Sequence, residues 1–354
     1  MEIKQILLIG AIIFVVLLGL CFQKSKLVLF FECVFLTALI GGYNGDIDLI
    51  FYREYYYNHI GMGDSFVEGI YLLIQNAFSL TGISFEMFHL IISAVCVATI
   101  AFVFLKMSPN PTFCMSCMFG FATLEYGIQI KAMSATAITV YAIYHLFKEQ
   151  NDKLSKRRLI EYLLMIAIAC GFHFVSVFFV LIPVFVFFYN KNYKKVLIIG
   201  ATIGTAFLPV MYNLMIRYAP ALNDYVGNYR TPKVFIGVAL WQLSGLIVVE
   251  LTCQFLQRAH LGNIKVVNYI RIASWVMLAV IPFYSLAVTA NRIVRTWMVF
   301  YFIAASYLPQ KRMSLSIRKS LLVGYEIASM VLFYIILTPD MLVIKEILTN
   351  NIFW

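Results

Sequence analysis

Apolar runs of about 17–25 residues recur along the chain, separated by short polar segments, and each is long enough to cross a hydrocarbon core of roughly 30 Å as a helix. The runs are continuous and do not alternate with period two, which argues against a β-barrel. The pattern predicts about twelve transmembrane helices, over residues 5–22, 27–43, 85–106, 111–127, 130–148, 159–171, 173–190, 195–216, 234–257, 272–290, 296–309 and 319–338. The runs 159–171 and 296–309 are short, as tilted, broken or protein-shielded helices are. The segment "FVEGIYLLIQNAFSLTG" at 66–82 would reverse the side of every later loop if it crossed, so it reads as a re-entrant or interfacial helix. The expected fold is all-α: a polytopic integral membrane protein forming one transmembrane domain over 1–354, with outer-face loops at 44–84 and 217–233.

Composition agrees with this, since 62% of residues are hydrophobic and only 12% charged, against about 45–50% and 25% in soluble domains. The first run, "ILLIGAIIFVVLLGLCF", has no small-residue cleavage site after it and reads as a retained helix, not a signal peptide. A net charge of +10 would point to nucleic acid only if the positions of the charges were ignored. Basic residues cluster at 23–26, at Lys106, at 148–158, at 191–195, at Arg258, Lys265 and Arg271, and at 310–319. Placing those loops in the cytoplasm satisfies the positive-inside rule and puts both termini outside. The seven cysteines lie mostly in apolar runs. Cys114 and Cys117 have CxxC spacing without a second ligand pair, so the cysteines read as small hydrophobes.

The outer-face residues carry the candidate chemistry. In "YNGDIDLIFYREYYYNH" (43–59), Asp48, Tyr52 and Tyr56 follow one another at i, i+4 and i+8, one face of an amphipathic helix. Carboxylates and phenols on one face suit a sugar, which offers hydroxyls to bond and C–H faces to pack on rings; the same tyrosines suit an aromatic interfacial belt. Asp46 is placed to share the role of Asp48. Glu68 opens the 66–82 segment, where a carboxylate also serves as a helix cap. His173, in "IACGFHFVSVFF", falls at the outer turn between two helices, as a packing histidine or as a base facing a polar cavity.

Nine cations remain outside: Lys4, Arg53, Lys131, Arg217, Arg230, Lys233, Arg292, Arg295 and Lys345. Orientation gains nothing from them. Arg292 and Arg295 lie at i and i+3, Lys131 opens a helix from the same side, and Arg217, Arg230 and Lys233 flank an outer loop. Singly, each could snorkel to headgroups; together they point to a bound anion, and arginine's fork fits a lipid pyrophosphate.

The ordered set resembles the EpsG family, Wzy-type bacterial polysaccharide polymerases. The family's outer Asp with Tyr at four and eight residues is matched by Asp48, Tyr52 and Tyr56, and its Glu-Gly-x-Tyr by Glu68, Gly69 and Tyr71. Lys131 stands at the basic position before an Ala-rich helix, Phe172 with His173 at the step between two helices, and Arg292 with Tyr301 on a late helix. The resemblance spans roughly residues 40 to 310. It departs at Lys131, where arginine is expected and the bidentate fork is lost, and Asp46 competes with Asp48 for the acidic position.

The resemblance implies a glycosyltransferase of the bacterial cytoplasmic (inner) membrane with its active site on the extracytoplasmic side. It would transfer a growing glycan from undecaprenyl pyrophosphate to a hydroxyl of a lipid-linked repeat unit, in exopolysaccharide, capsule or O-antigen synthesis. The expected roles are Asp48 or His173 as base, Arg292 and Arg295 with Arg230, Lys131 and Arg217 at the pyrophosphate, and Tyr52, Tyr56, Asp46, Tyr71 and Glu68 along the sugar path. Expected partners are undecaprenyl-pyrophosphate-linked oligosaccharides, membrane lipids and a chain-length regulator, with no nucleic acid. No cofactor or metal is expected; Asp46 and Asp48 could hold a cation, but arginine clamping makes one unnecessary. The competing readings are a flippase for lipid-linked oligosaccharides, which Glu32, Glu250 and Glu326 inside apolar runs keep open, and a polyprenyl-phosphate-dependent glycosyltransferase.

Overall fold

The computed structural model describes residues 3–45, 49–58, 69–119, 124–148, 154–188, 192–218, 232–261, 264–285, 291–308, 317, 320, 324 and 349–353. Twelve α-helices are described: α1 (Ile3–Cys21), α2 (Lys26–Gly41), α3 (Leu49–Asn58), α4 (Gly69–Leu80), α5 (Phe85–Met107), α6 (Pro111–Phe119), α7 (Ile130–Phe147), α8 (Lys156–Phe172), α9 (Tyr193–Tyr218), α10 (Pro232–Arg258), α11 (Lys265–Leu278) and α12 (Asn291–Ser306). Among the described residues there is no strand, only an isolated antiparallel bridge between Tyr43 and Asn351. The segments Phe85–Met107 and Ile236–Arg258 are long and apolar enough to cross a membrane, and Ile6–Cys21, Gly69–Leu80 and Phe174–Phe188 are shorter apolar segments.

Local chemistry fixes several helix starts. The Ser25 hydroxyl accepts from Val28 N at 3.2 Å to cap α2, and Ser84 accepts from Met87 N at 3.3 Å to cap α5. Each satisfies an amide that the first turn leaves without a carbonyl. In α5, Glu86 in the first turn and Lys106 in the last complement the helix dipole. The outward faces are apolar: Leu27, Phe30 and Phe31 on α2 and Ile198, Ile199 and Ile203 on α9 are exposed. Such a surface suits hydrocarbon and not water.

Three expected spans depart from a single α-helix. The run 173–190 is a 3-10 stretch (Phe174–Leu181) followed by a π-helical turn (Val184–Phe188). Pro183 lies between them, where its missing N–H and its ring disrupt the hydrogen-bond ladder. The run 111–127 becomes α6, ending at Phe119, and a 3-10 turn at Leu124–Gly127. The run 272–290 begins earlier, at Lys265, and gives way after Leu278 to a 3-10 turn at Ile281–Ser285 that contains Pro282. The segment expected at 66–82 is helical over Gly69–Leu80, twelve residues, too short to span. The run 319–338 lies almost wholly outside the described residues.

The helices gather into two compact units, one comprising Met1–Lys148, Ile160–Val177 and Asp340–Trp354, the other Glu149–Leu159 and Phe178–Pro339. In the first, α5 packs most extensively on α2 and α7, and α1 packs on α6. Glu32 on α2 is fully buried and accepts a 2.6 Å hydrogen bond from Ser116 Oγ of α6. Gly19 of α1 makes room for this pair, because a Cβ there would come within 2.0 Å of both Glu32 Oε1 and Ser116 Oγ. The end of the chain belongs to the same unit. Asn351 Nδ2 donates to Ala38 O at 3.0 Å and Leu39 O at 3.1 Å, Ile352 N to Gly42 O, and Asn44 N to Asn350 O. The bonds to Leu39 O and Gly42 O satisfy carbonyls that the end of α2 would otherwise orphan, and the one to Ala38 O adds to the bond it already accepts from Gly42 N. Asn351→Ala is therefore expected to destabilise the protein by about 1–3 kcal/mol, read as a lower unfolding midpoint in detergent; an unchanged midpoint would remove the capping role.

In the second unit, α10 packs on α11 and α12, which also pack on each other. Glu250 of α10 accepts on one oxygen from Lys194 Nζ (3.0 Å), Arg271 Nε (2.9 Å) and Trp275 Nε1 (2.6 Å), tying α9, α10 and α11. Tyr284 donates to Gln242 Oε1, and Gln242 Nε2 donates to Met277 O. Gly245 lets α12 approach α10, since a Cβ there would lie 1.9 Å from the Tyr301 ring.

Candidate functional site

In the first unit, α3 presents Tyr52 and Tyr56 one turn apart, yet they have different surroundings. Tyr56 is fully buried; its hydroxyl donates to Ile83 O at 2.8 Å, its carbonyl accepts from Ser79 Oγ at 2.7 Å, and its ring packs on Phe85 and Phe88. It fastens α3 to α4 and α5, so this side chain is placed to hold the scaffold and not to face a sugar. The half-buried Tyr52 meets the Tyr71 ring edge-on, with centroids 5.9 Å apart.

Lys131, in the first turn of α7, completes this group. Its Nζ lies 5.3 Å from the Tyr52 centroid and 5.4 Å from the Tyr71 centroid, within cation–π range of both rings. The ammonium is held at the positive end of the α7 dipole, where a cation is ordinarily disfavoured. Gln129, the residue before the helix, provides no side-chain cap. Ammonium and helix start therefore add their positive potentials at one spot beside two aromatic rings. Such a spot attracts an anion and offers stacking surfaces next to it.

His173 directly follows α8. It is buried, its amide donates to Ala169 O at 2.8 Å, and its carbonyl accepts from Ser176 N as the chain turns into the 3-10 stretch. Two residues earlier, Gly171 lies against Ile70: a Cβ at Gly171 would come 2.4 Å from the Ile70 side chain. The end of α8 is thus packed on the first turn of α4, next to Tyr71. Ser176 accepts from Thr139 of α7 at 3.3 Å, joining the same 3-10 stretch to the helix that Lys131 opens. Arg53 is committed nearby, pairing with Glu86 at 3.3 Å, bonding Asn44 and lying over the Phe85 ring.

In the second unit, Arg292 and Arg295 stand on the first turns of α12. Arg292 is half-buried, whereas Arg295 is 1% exposed. Arg217 is exposed in the last turn of α9, where a cation suits the helix dipole. Asp46, Asp48, Glu68 and Arg230 lie outside the described residues. The structure thus joins Tyr52, Tyr71 and Lys131 into one contact group and sets the helix end bearing His173 against the helix bearing Tyr71.

Among the described residues no three His, Cys, Asp or Glu side chains gather as a metal centre requires. Sequence reasoning passed over Gln75 and Asn76 of α4 and His89 and Ser93 of α5, all four buried. Their only signal was polarity inside apolar runs.

No curated protein matches the chain, and no solved structure does. The EpsG family model matches residues 26–345. Its span includes the Tyr52–Tyr71–Lys131 group, His173 and the α12 arginines. The chain belongs to the EpsG family.

Proposed function

We propose that this protein is a polysaccharide polymerase, a multi-pass enzyme of the bacterial inner membrane working on its extracytoplasmic side. It transfers a growing glycan from undecaprenyl pyrophosphate to a hydroxyl of a lipid-linked repeat unit. The observation that carries this reading, beside the family, is the Lys131 ammonium fixed against the rings of Tyr52 and Tyr71. A glycan joined to pyrophosphate presents an anion next to a pyranose ring, and a cation next to aromatic faces is the matching arrangement.

The reaction forms a bond from the acceptor oxygen to the anomeric carbon and breaks the bond from that carbon to the pyrophosphate oxygen. The acceptor proton passes to a base, His173 or Asp48, and the pyrophosphate lipid leaves with the bonding electron pair. Lys131 would stabilise the charge growing on the leaving group, the role that the sequence also suggests for Arg292, Arg295, Arg217 and Arg230. Holding both lipids in register supplies the remaining advantage. No metal has a step in this scheme.

A transport reading draws on acids inside apolar helices. Of these, Glu250 is engaged by Lys194, Arg271 and Trp275, and Glu32 by Ser116. Ties between neighbouring helices favour a fixed scaffold over groups that recharge during a cycle.

Purified protein in detergent, given lipid-linked repeat units extracted from the host, is expected to yield longer glycans and release undecaprenyl pyrophosphate with no bilayer to cross. No extension, together with movement of the same lipid across proteoliposome membranes, would establish transport instead.

A further inference from the structure

We infer that Gln75 and Asn76, adjacent on α4, determine glycan specificity, their amides hydrogen bonding to ring hydroxyls of the sugar next to the Lys131 group. The inference rests on the polymerase reading above and adds the part of the site that reads the sugar.

Gln75 is fully buried and Asn76 is 4% exposed. Among the described residues, all four of their side-chain nitrogen and oxygen atoms are buried without a hydrogen-bond partner. A buried amide left in this state is rare and costly, because it gave up water and received nothing in return. Two in succession call for an occupant. The hydroxyls toward the end of this short helix are, by contrast, bonded: Ser79 Oγ donates to Tyr56 O and Thr81 Oγ1, just beyond the helix end, to Phe78 O. Leucine in either place would fill similar volume at no such cost, so packing does not explain the amides.

Position connects them to the site. Gln75 follows Tyr71 by one turn, on the same face of α4, and Tyr71 is the ring that meets both Tyr52 and Lys131. On α5, which packs against α4, His89 Nε2 and Ser93 Oγ are likewise buried and without partners among the described residues, again one turn apart. Two contacting helices therefore each carry a buried polar pair with open hydrogen-bonding capacity.

The chemistry selects the occupant. An amide offers two donors and a two-lone-pair acceptor and carries no charge. An anion would call for more cations, a metal ion for carboxylates, and a prenyl chain for no polar atoms. Vicinal hydroxyls, each at once donor and acceptor, match neutral amides. The cation at Lys131 and the amides one turn beyond Tyr71 thus divide the labour between the phosphate and the sugar of one ligand.

The test uses full-length protein in detergent, with Gln75→Leu and Asn76→Leu. Two probes are compared: a fluorescent lipid-linked repeat unit from the host, and undecaprenyl pyrophosphate without sugar. Each variant is expected to bind the repeat unit about tenfold more weakly, the size of one or two lost hydrogen bonds. Binding of the sugar-free lipid stays at the wild-type level, and the unfolding midpoint stays level or rises. A purely structural amide would lower that midpoint. Wild-type affinity for the repeat unit, equal loss for both probes, or a fall in the midpoint alongside the loss would each overturn the assignment and leave the amides to water or packing. Should leucine prevent folding, the near-isosteric Gln75→Glu and Asn76→Asp carry the same comparison of probes. If the wild-type protein itself binds neither lipid, the polymerase reading fails; if it binds both and the variants match it, only the amide assignment does.

Discussion

Arg292→Ala is expected to lower polymer formation by about 10²–10³-fold, the scale on which removing one preorganised charge stabiliser acts, while the protein inserts and unfolds as the wild type does. Single, unextended repeat units on lipid should accumulate in the cells. The half-buried setting of Arg292 makes it the cleaner member of the pair, since its loss would remove the proposed phosphate contact without opening a core. Arg295, 1% exposed, is different. Alanine there leaves a void and strands whatever the guanidinium bonded, so both stability and polymer should fall. Arg295→Lys keeps the charge and loses the planar fork; it separates the two contributions. Wild-type polymer from both Arg292→Ala and Arg295→Lys would remove the pyrophosphate assignment from α12.

Gly245→Ala should cost stability on the order of 1–3 kcal/mol, the usual penalty for overpacking a filled core. The added methyl would lie 1.9 Å from Tyr301 Cε2 and 2.5 Å from Cζ. An aromatic ring cannot yield as a flexible chain end does, and Tyr301 is itself buried. The relief available is a shift of α12, the helix that also carries Arg292 and Arg295. Activity should therefore fall with stability, even though Gly245 bears no chemistry. Combining Gly245→Ala with Tyr301→Leu should recover part of the midpoint, and the non-additivity measured by that cycle reports the contact. A single variant as stable as the wild type would show that the helices separate at little cost.

The sequence made much of this helical framework legible. Wherever an apolar run stood alone, with a serine such as Ser25 or Ser84 before it, the helix begins within a residue or two of expectation. Runs interrupted by Pro183 or Pro282 kept their hydrophobicity while losing their hydrogen-bond register, and hydropathy cannot register that loss. At the site, periodicity correctly set Tyr52 and Tyr56 on neighbouring turns. It could not say that one would meet Lys131 while the other would be spent on Ile83 O, because that depends on which helices pack behind α3. The meeting of Tyr52 with Tyr71 and Lys131 joins three separate helices, and nothing local in the chain encodes it. Gln75 and Asn76 went unremarked for a related reason: a polar pair in an apolar segment reads alike whether its amides are bonded or bare, and only packing distinguishes the two.

The stitching of Asn351 to Ala38 and Leu39 joins residues 313 and 312 positions apart. While the chain is being synthesised, the last turn of α2 has its helical neighbours long before it has the partners that quench its terminal carbonyls. The first unit therefore gains these bonds only after the segment around Asn351 has been made, long after its first helices.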